Sequence, residues 1–175
     1  MEAIARRLPP LEDERFWDLM SRAEEIGMRL EMDAHGIVWE MLPGLRHQEI
    51  AAAVYLSVGS NPQDKDCECY RALDVAVRFP DGTVKRPDVA IYCHRPKQEE
   101  GFVYEVPEAV IEITSPGYEE KDLVTGPPIY LANGSKDVLV LDRRSAEVHQ
   151  WDRSGHRVMQ SPTVVPLACG CKVTV

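Results

Sequence analysis

Apolar residues recur through residues 11–26 at mixed three- and four-residue steps: Leu11, Phe16, Leu19, Met20, Ala23 and Ile26. That spacing predicts an amphipathic helix, and Gly27 is a natural stop for it. Two short β-prone runs follow, residues 28–32 and 37–42, around Asp33-Ala34-His35-Gly36, which suits a hairpin turn. Pro43-Gly44 breaks the chain before a second helix, predicted over residues 47–58. Residues 70–79 set Leu73, Val75, Val77 and Phe79 against Asp74, Ala76 and Arg78, predicting one half-buried strand. Pro80-Asp81-Gly82-Thr83 reads as a turn. Residues 87–92 read as the next strand, with proline at the start, where a strand tolerates it.

Residues 94–105 are polar and loop-like. Residues 109–114 form a nearly continuous apolar strand, interrupted by Glu112 and closed by Ser115-Pro116-Gly117. A short helix is predicted over residues 127–133, with proline in its first turn and Asn133-Gly134 as its end signal. Strands are predicted over 138–141 and 146–151, and more short strand over 164–175. The order predicts an α/β (mixed α+β) fold, a central mixed β-sheet flanked by helices, in a single domain spanning residues 1–175.

Composition narrows the class. The hydrophobic share of 44% and charged share of 28% are ordinary for a globular protein. No run approaches the roughly 18 apolar residues of a membrane span, and no apolar stretch backs the two N-terminal arginines, so a cytoplasmic protein without a membrane partner is expected. The net charge of −9 counts against a dedicated nucleic-acid coat protein. It counts less against a nuclease, because divalent metals carry positive charge to the scissile phosphate. No Gly-rich phosphate loop, G-x-S-x-G elbow or H-E-x-x-H is present, which argues against nucleotide-driven chemistry, serine hydrolysis and zinc proteolysis.

The chain has 5 cysteines, and reduced thiols are expected. Cys67 with Cys69 and Cys169 with Cys171 have C-x-C spacing. One reading is a zinc site closed by both pairs. The favoured reading is alternating strand residues and a tight turn, because structural zinc usually takes C-x₂₋₄-C spacing.

Two acids stand where a buried strand calls for apolar residues. Asp88 precedes Val89-Ala90-Ile91, and Glu112 sits inside Ala109-Val110-Ile111-Glu112-Ile113-Thr114. A carboxylate inside a sheet costs several kcal/mol unless it is paired or holds a metal. Two on neighbouring strands repel each other, and a divalent cation relieves that repulsion; oxygen donors favour Mg²⁺ or Mn²⁺. From the residues alone an alternative stays open: Asp88 pairs with Arg86, and Glu112 points to solvent.

The stretch Phe79-Pro80-Asp81-Gly82-Thr83-Val84-Lys85-Arg86-Pro87-Asp88-Val89-Ala90 resembles the Uma-two family, a mainly bacterial group of restriction-endonuclease-like proteins. So do the strand around Glu112 with Ser115-Pro116, then Asp122, Tyr130, Gly134 and Val140-Leu141-Asp142. Residues 29–36 and 43–50 resemble that family's opening hairpin and second helix. The resemblance spans roughly residues 12–152.

It implies a PD-(D/E)XK core in which Asp88 and Glu112 ligate Mg²⁺ (or Mn²⁺). The protein would then be an endonuclease acting on nucleic acid, DNA by expectation. The family's usual helix lysine falls four residues after the position of Asp122, where this chain has Gly126 followed by Pro127-Pro128. The strand position two residues after Glu112 is Thr114. Lys121 is the nearest surviving amine and the candidate for the lysine's role, orienting water and stabilising charge on the phosphate. Loss of the usual lysine motivates an alternative: a catalytically inactive relative that binds nucleic acid or protein. A homodimer is expected, since nucleases that cut both strands often use two-fold symmetry.

Auxiliary candidates are Glu31, lining the same cleft or held in a salt bridge, and His47, on a phosphate or capping its helix, with the cap favoured. Asp122 is a third, as ligand or helix-start residue. Glu49 is a further candidate to face the metal, and Tyr130 is read as packing. His35, His94, His149 and His156 are read as surface residues, and Trp17, Trp39 and Trp151 as core or interface fillers.

Overall fold

A computed structural model describes residues 13–60 and 66–175. The first two residues of the expected opening helix therefore lie outside the described residues. Helix α1 (Asp13–Glu25) is followed by a hairpin, β1 (Met28–Asp33) and β2 (Gly36–Met41), then α2 (Leu45–Ser57) and β3 (Gly59–Ser60). Strands β4 (Tyr70–Leu73), β5 (Val77–Arg78), β6 (Val84–Lys85), β7 (Val89–Tyr92) and β8 (Ala109–Ile113) come next. A π-helical turn (Lys121–Thr125) runs directly into α3 (Gly126–Ala132), and β9 (Asp137–Asp142), β10 (Glu147–Asp152), β11 (Gly155–Gln160), β12 (Val164–Pro166) and β13 (Cys171–Thr174) complete the fold.

The central sheet has the order β11-β10-β9-β8-β7-β4. It is mixed: β8 and β9 run parallel, with α3 in the connection between them, and the other neighbours are antiparallel. A second sheet has the order β2-β1-β6-β5 and a third β12-β13-β3. The expected α/β class holds.

Side-chain alternation sorts the core into faces. Val89, Ile91, Ala109, Ile111, Ile113, Leu139 and Leu141 point to one side of the central sheet and pack with Ala51 and Val54 of α2 and Val173 of β13. Val110 and Val138 point to the other side and meet Phe79 and Tyr130 of α3. On the small sheet, Leu30, Met32 and Val84 pack under Phe16, Met20 and Ala23 of α1. The intervening residues Arg29, Glu31 and Lys85 must then face away from α1, and all three are buried. Those buried charges line the space between the two sheets.

The strand expected over residues 70–79 is two strands. It breaks at Asp74, whose φ is +50°, and β4 and β5 belong to different sheets. Alternation of side chains cannot register that switch, because both halves keep the same period. Strand β11 was not expected; it pairs antiparallel with β10 over six positions, Glu147↔Gln160 to Asp152↔Gly155. Trp17 and Trp39 are 39% and 57% exposed, so neither fills the core, while Trp151 packs partly buried beside Val110 and Val138.

The cysteines also depart from expectation. Cys67–Cys93 and Cys69–Cys171 are paired as disulfides, and Cys169 is a buried free thiol.

Candidate active site

The antiparallel register of β7 and β8, Val89↔Ile111 and Ala90↔Val110, carried one step further places Asp88 opposite Glu112. Directly opposed residues share a face of the sheet. The two carboxylates are tied into each other's strand. Asp88 donates its backbone N–H to Glu112 Oε2 (3.2 Å), and Ile113 donates its N–H to Asp88 Oδ2 (2.8 Å). Both side chains are buried, at 7% and 6% relative exposure. Arg86, the alternative partner for Asp88, pairs with Asp74 at 3.0 Å and with Glu24 instead.

Further groups converge on this pair. From α3, the Tyr130 hydroxyl donates to Glu112 Oε1 at 2.5 Å. From α2, His47 Nε2 lies 3.2 Å from Asp88 Oδ2 and 3.0 Å from the Ile113 carbonyl oxygen. From β1, Arg29 Nη1 is 3.7 Å from Asp88 Oδ1. Lys121 Nζ, from the π-helical turn, lies 3.4 Å from Glu31, 3.1 Å from Glu40 and 3.6 Å from Asp122. Glu31 is closed off by Lys85 Nζ at 2.9 Å and by the Arg86 backbone N–H at 3.1 Å.

Arg29, Glu40, His47, Asp88, Glu112, Ile113, Ser115, Lys121 and Asp122 border a small cleft of ≈ 10 Å³, on the order of what one water-sized sphere needs. Wider clefts lie elsewhere, among them one of ≈ 590 Å³ between α1 and the β4 edge. Among the described residues, the wider clefts are lined by fewer buried charged side chains than this one.

The acids Glu31, Glu40, Asp88, Glu112 and Asp122 outnumber the bases Arg29, Lys85, Lys121 and His47, and the titration of individual groups reflects that imbalance. Burial, followed by the charge of Asp88, pushes Glu112 well above the usual carboxylate range. Burial also raises Asp122 to about 7, with Glu40 and Asp88 adding to the shift against Lys121. Glu31 goes the other way: burial would raise it, but Lys121 and Lys85 outweigh that and hold it at about 2. Burial would lower His47, yet its hydrogen bond to Asp88 and that residue's charge raise it.

Several expectations change here. His47 does not cap α2: the helix starts after Gly44 with no side-chain cap, and the imidazole turns inward to Asp88. Glu49 is exposed on α2 and does not face the carboxylate pair. Tyr130 packs edge-on against Phe79 at 5.7 Å and also holds Glu112. Thr114 is engaged with Asp142 and the backbone of Arg143, away from the pair. Arg29 and Glu40 were not singled out. Their signal was present: they are opposed across the β1–β2 hairpin, as charges of opposite sign in runs otherwise rich in apolar residues.

The π-helical turn accounts for the position of Lys121. The Gly126 N–H bonds back to the Lys121 carbonyl, an i→i+5 closure of the kind found at functional sites. Residue 121 thereby stands one turn before residue 126 on the same helix.

The metal-ligating atoms that Asp88, Glu112 and the neighbouring acids offer to this small cleft are carboxylate oxygens. That is a hard-oxygen set suited to Mg²⁺ or Mn²⁺ rather than to a soft metal.

A mixed sheet flanked by helices, with an acid-rich cleft between sheets, is the architecture of a nuclease-like fold. The model of the Uma2 family, described as "Putative restriction endonuclease", matches residues 14–167, and the chain belongs to that family. A solved structure from Anabaena variabilis ATCC 29413, described as "a putative nuclease belonging to DUF820", is similar in fold. Its TM-score is 0.61 at 20% identity, covering 79% of this chain and 81% of that one. No curated protein matches the chain. Among the described residues no helix is long and apolar enough to cross a membrane.

Proposed function

We propose that the chain is a divalent-metal-dependent endonuclease that hydrolyses phosphodiester bonds in nucleic acid, with DNA the expected substrate. The observation that carries this reading is the opposed pair Asp88 and Glu112, buried on one sheet face and hydrogen-bonded into each other's strand. These two side chains would hold the ion, Mg²⁺ or Mn²⁺ by the hardness of their oxygen donors. When bound, such an ion polarises the phosphate and lowers the pKa of a water molecule.

The chain's own groups have separate tasks. Tyr130 fixes the rotamer of Glu112 through Oε1, leaving Oε2 toward Asp88. His47 and Arg29 fix Asp88 from two sides. Lys121 is the ammonium available to the phosphate and to the attacking water, in place of a lysine at position 126. In this structure it is held by Glu40, Glu31 and Asp122, so engaging a phosphate requires exchanging one of those carboxylates for it. A two-fold dimer is the assembly expected for cutting both strands.

The test is incubation of the pure chain with plasmid, single-stranded DNA and RNA in Mg²⁺ or Mn²⁺, beside Asp88→Ala. Metal-dependent cleavage by the wild type and its loss in the variant supports the reading. Equal cleavage by both proteins overturns it.

The engagement of Lys121 by carboxylates favours a second reading: a nuclease-fold binding module that takes up metal without cutting. Calorimetric titration with Mn²⁺ together with the cleavage assay separates the two. Uptake without cleavage supports the module, and no uptake removes the metal from both.

A further inference from the structure

All of the chain's cysteines meet at one point. Cys67 and Cys69 lie in the segment entering β4, Cys93 directly follows β7, and Cys169 and Cys171 bracket Gly170 at the turn into β13. That turn is tight: the Leu167 N–H bonds to the Cys171 carbonyl at 2.8 Å, and Gly170, at φ +87°, donates back to Leu167 at 3.0 Å. The Sγ atoms of Cys67, Cys169 and Cys171 all lie within 4.8 Å of one another, and all three residues are buried. Cys67 Sγ and Cys171 Sγ are 3.5 Å apart without being bonded. Cys93 is paired with Cys67 and Cys69 with Cys171, so a fourth and a fifth sulfur adjoin the trio.

Two disulfides need four cysteines in two pairs; they do not need a fifth thiol packed against both. Four thiolates around Zn²⁺ at about 2.3 Å stand roughly 3.8 Å from each other, close to the spacing of this trio.

We propose that in the reduced chain this cluster is a thiolate centre for one Zn²⁺ or a similarly soft divalent ion, with Cys67, Cys169 and Cys171 at its core and Cys69 or Cys93 as the fourth ligand. Each disulfide takes two electrons and two protons from a dithiol reductant to reach that state, and the metal then displaces the thiol protons. The centre pins the β12-β13-β3 sheet to the β4 edge of the central sheet and is structural. Its sulfur donors separate it from the oxygen donors of Asp88 and Glu112, and it stands independently of any nuclease activity.

The test uses the full chain purified in a thiol reductant. Metal analysis is expected to find one zinc per chain. Exchange for Co²⁺ is expected to give an intense near-ultraviolet sulfur-to-cobalt band, unchanged in the double variant Asp88→Ala with Glu112→Ala. Cys169→Ser with Cys171→Ser should abolish the band while circular dichroism reports folded chain. If that variant does not fold, Cys169→Ser alone, which touches no disulfide, should weaken the band. Five reactive thiols with no bound metal would overturn the proposal. So would two disulfides that survive the reductant, leaving one reactive thiol and no zinc.

Discussion

A Cβ on Gly126 would stand 3.0 Å from the backbone carbonyl oxygen of Lys121. That is tighter than nine in ten real Cβ contacts, and the obstacle is backbone, so the carbonyl must give by a few tenths of an ångström to admit a side chain. The π-helical closure that brings Lys121 to the carboxylate cluster therefore crowds any side chain at residue 126.

This crowding predicts that restoring lysine at position 126 does not simply add a catalytic group. Gly126→Ala and Gly126→Lys should each destabilise the chain, by about 1–3 kcal/mol as overpacking of a tight site does, measured by urea denaturation. A gain of stability in Gly126→Ala, of the size usual for glycine replaced in a permissive position, would show that the carbonyl can give way.

Tyr130→Phe tests how the ligand pair is oriented. It deletes the donor to Glu112 Oε1 while keeping the ring against Phe79. Removing an outer partner of a ligating carboxylate usually weakens metal affinity about 10–100-fold, and calorimetric titration with Mn²⁺ should register a loss in that range. Unchanged affinity would mean that Glu112 is positioned without the hydroxyl.

Glu31→Gln tests the charge network by pH. Glu31 is held at about 2 by Lys121 and Lys85 against the penalty of its burial, below its unfolded value. Its contribution to stability is thus fully present above the unfolded carboxylate range and is lost as pH falls toward about 2. The variant leaves Lys85 buried without its partner, a loss of about 3–5 kcal/mol at neutral pH. That deficit should shrink as the solution is acidified through the carboxylate range, and chemical denaturation across pH would record it. A deficit independent of pH would assign the effect to packing alone.

The sequence made the central pair legible because a carboxylate inside an apolar strand is conspicuous. The first two α-helices and most strands followed from periodicity, and α3 from its proline and Asn-Gly signals, while the π-helical turn before it left no such signal. What it hid was placement across elements. Arg29, Glu40 and Lys85 reach the site only because β1, β2 and β6 form a second sheet facing the first, and period-2 alternation does not say which sheet a strand joins. The same limit merged β4 with β5 across Asp74. His47 read as a cap because it lies near a helix start; the inward turn to Asp88 depends on the approach of β8 (Ile113 carbonyl, 3.0 Å), which sequence spacing does not encode. The cysteines were read by local C-x-C spacing, whereas their meeting joins residues up to 104 positions apart.

Diffraction from a crystal soaked in Mn²⁺, recorded for its anomalous signal, puts the shared-cation claim to the most direct test. The account predicts one strong peak between residues 88 and 112, about 2.0–2.6 Å from an oxygen of each carboxyl group, absent from the Asp88→Ala crystal. A peak that appears only at other acids, or none at saturating Mn²⁺, would contradict it.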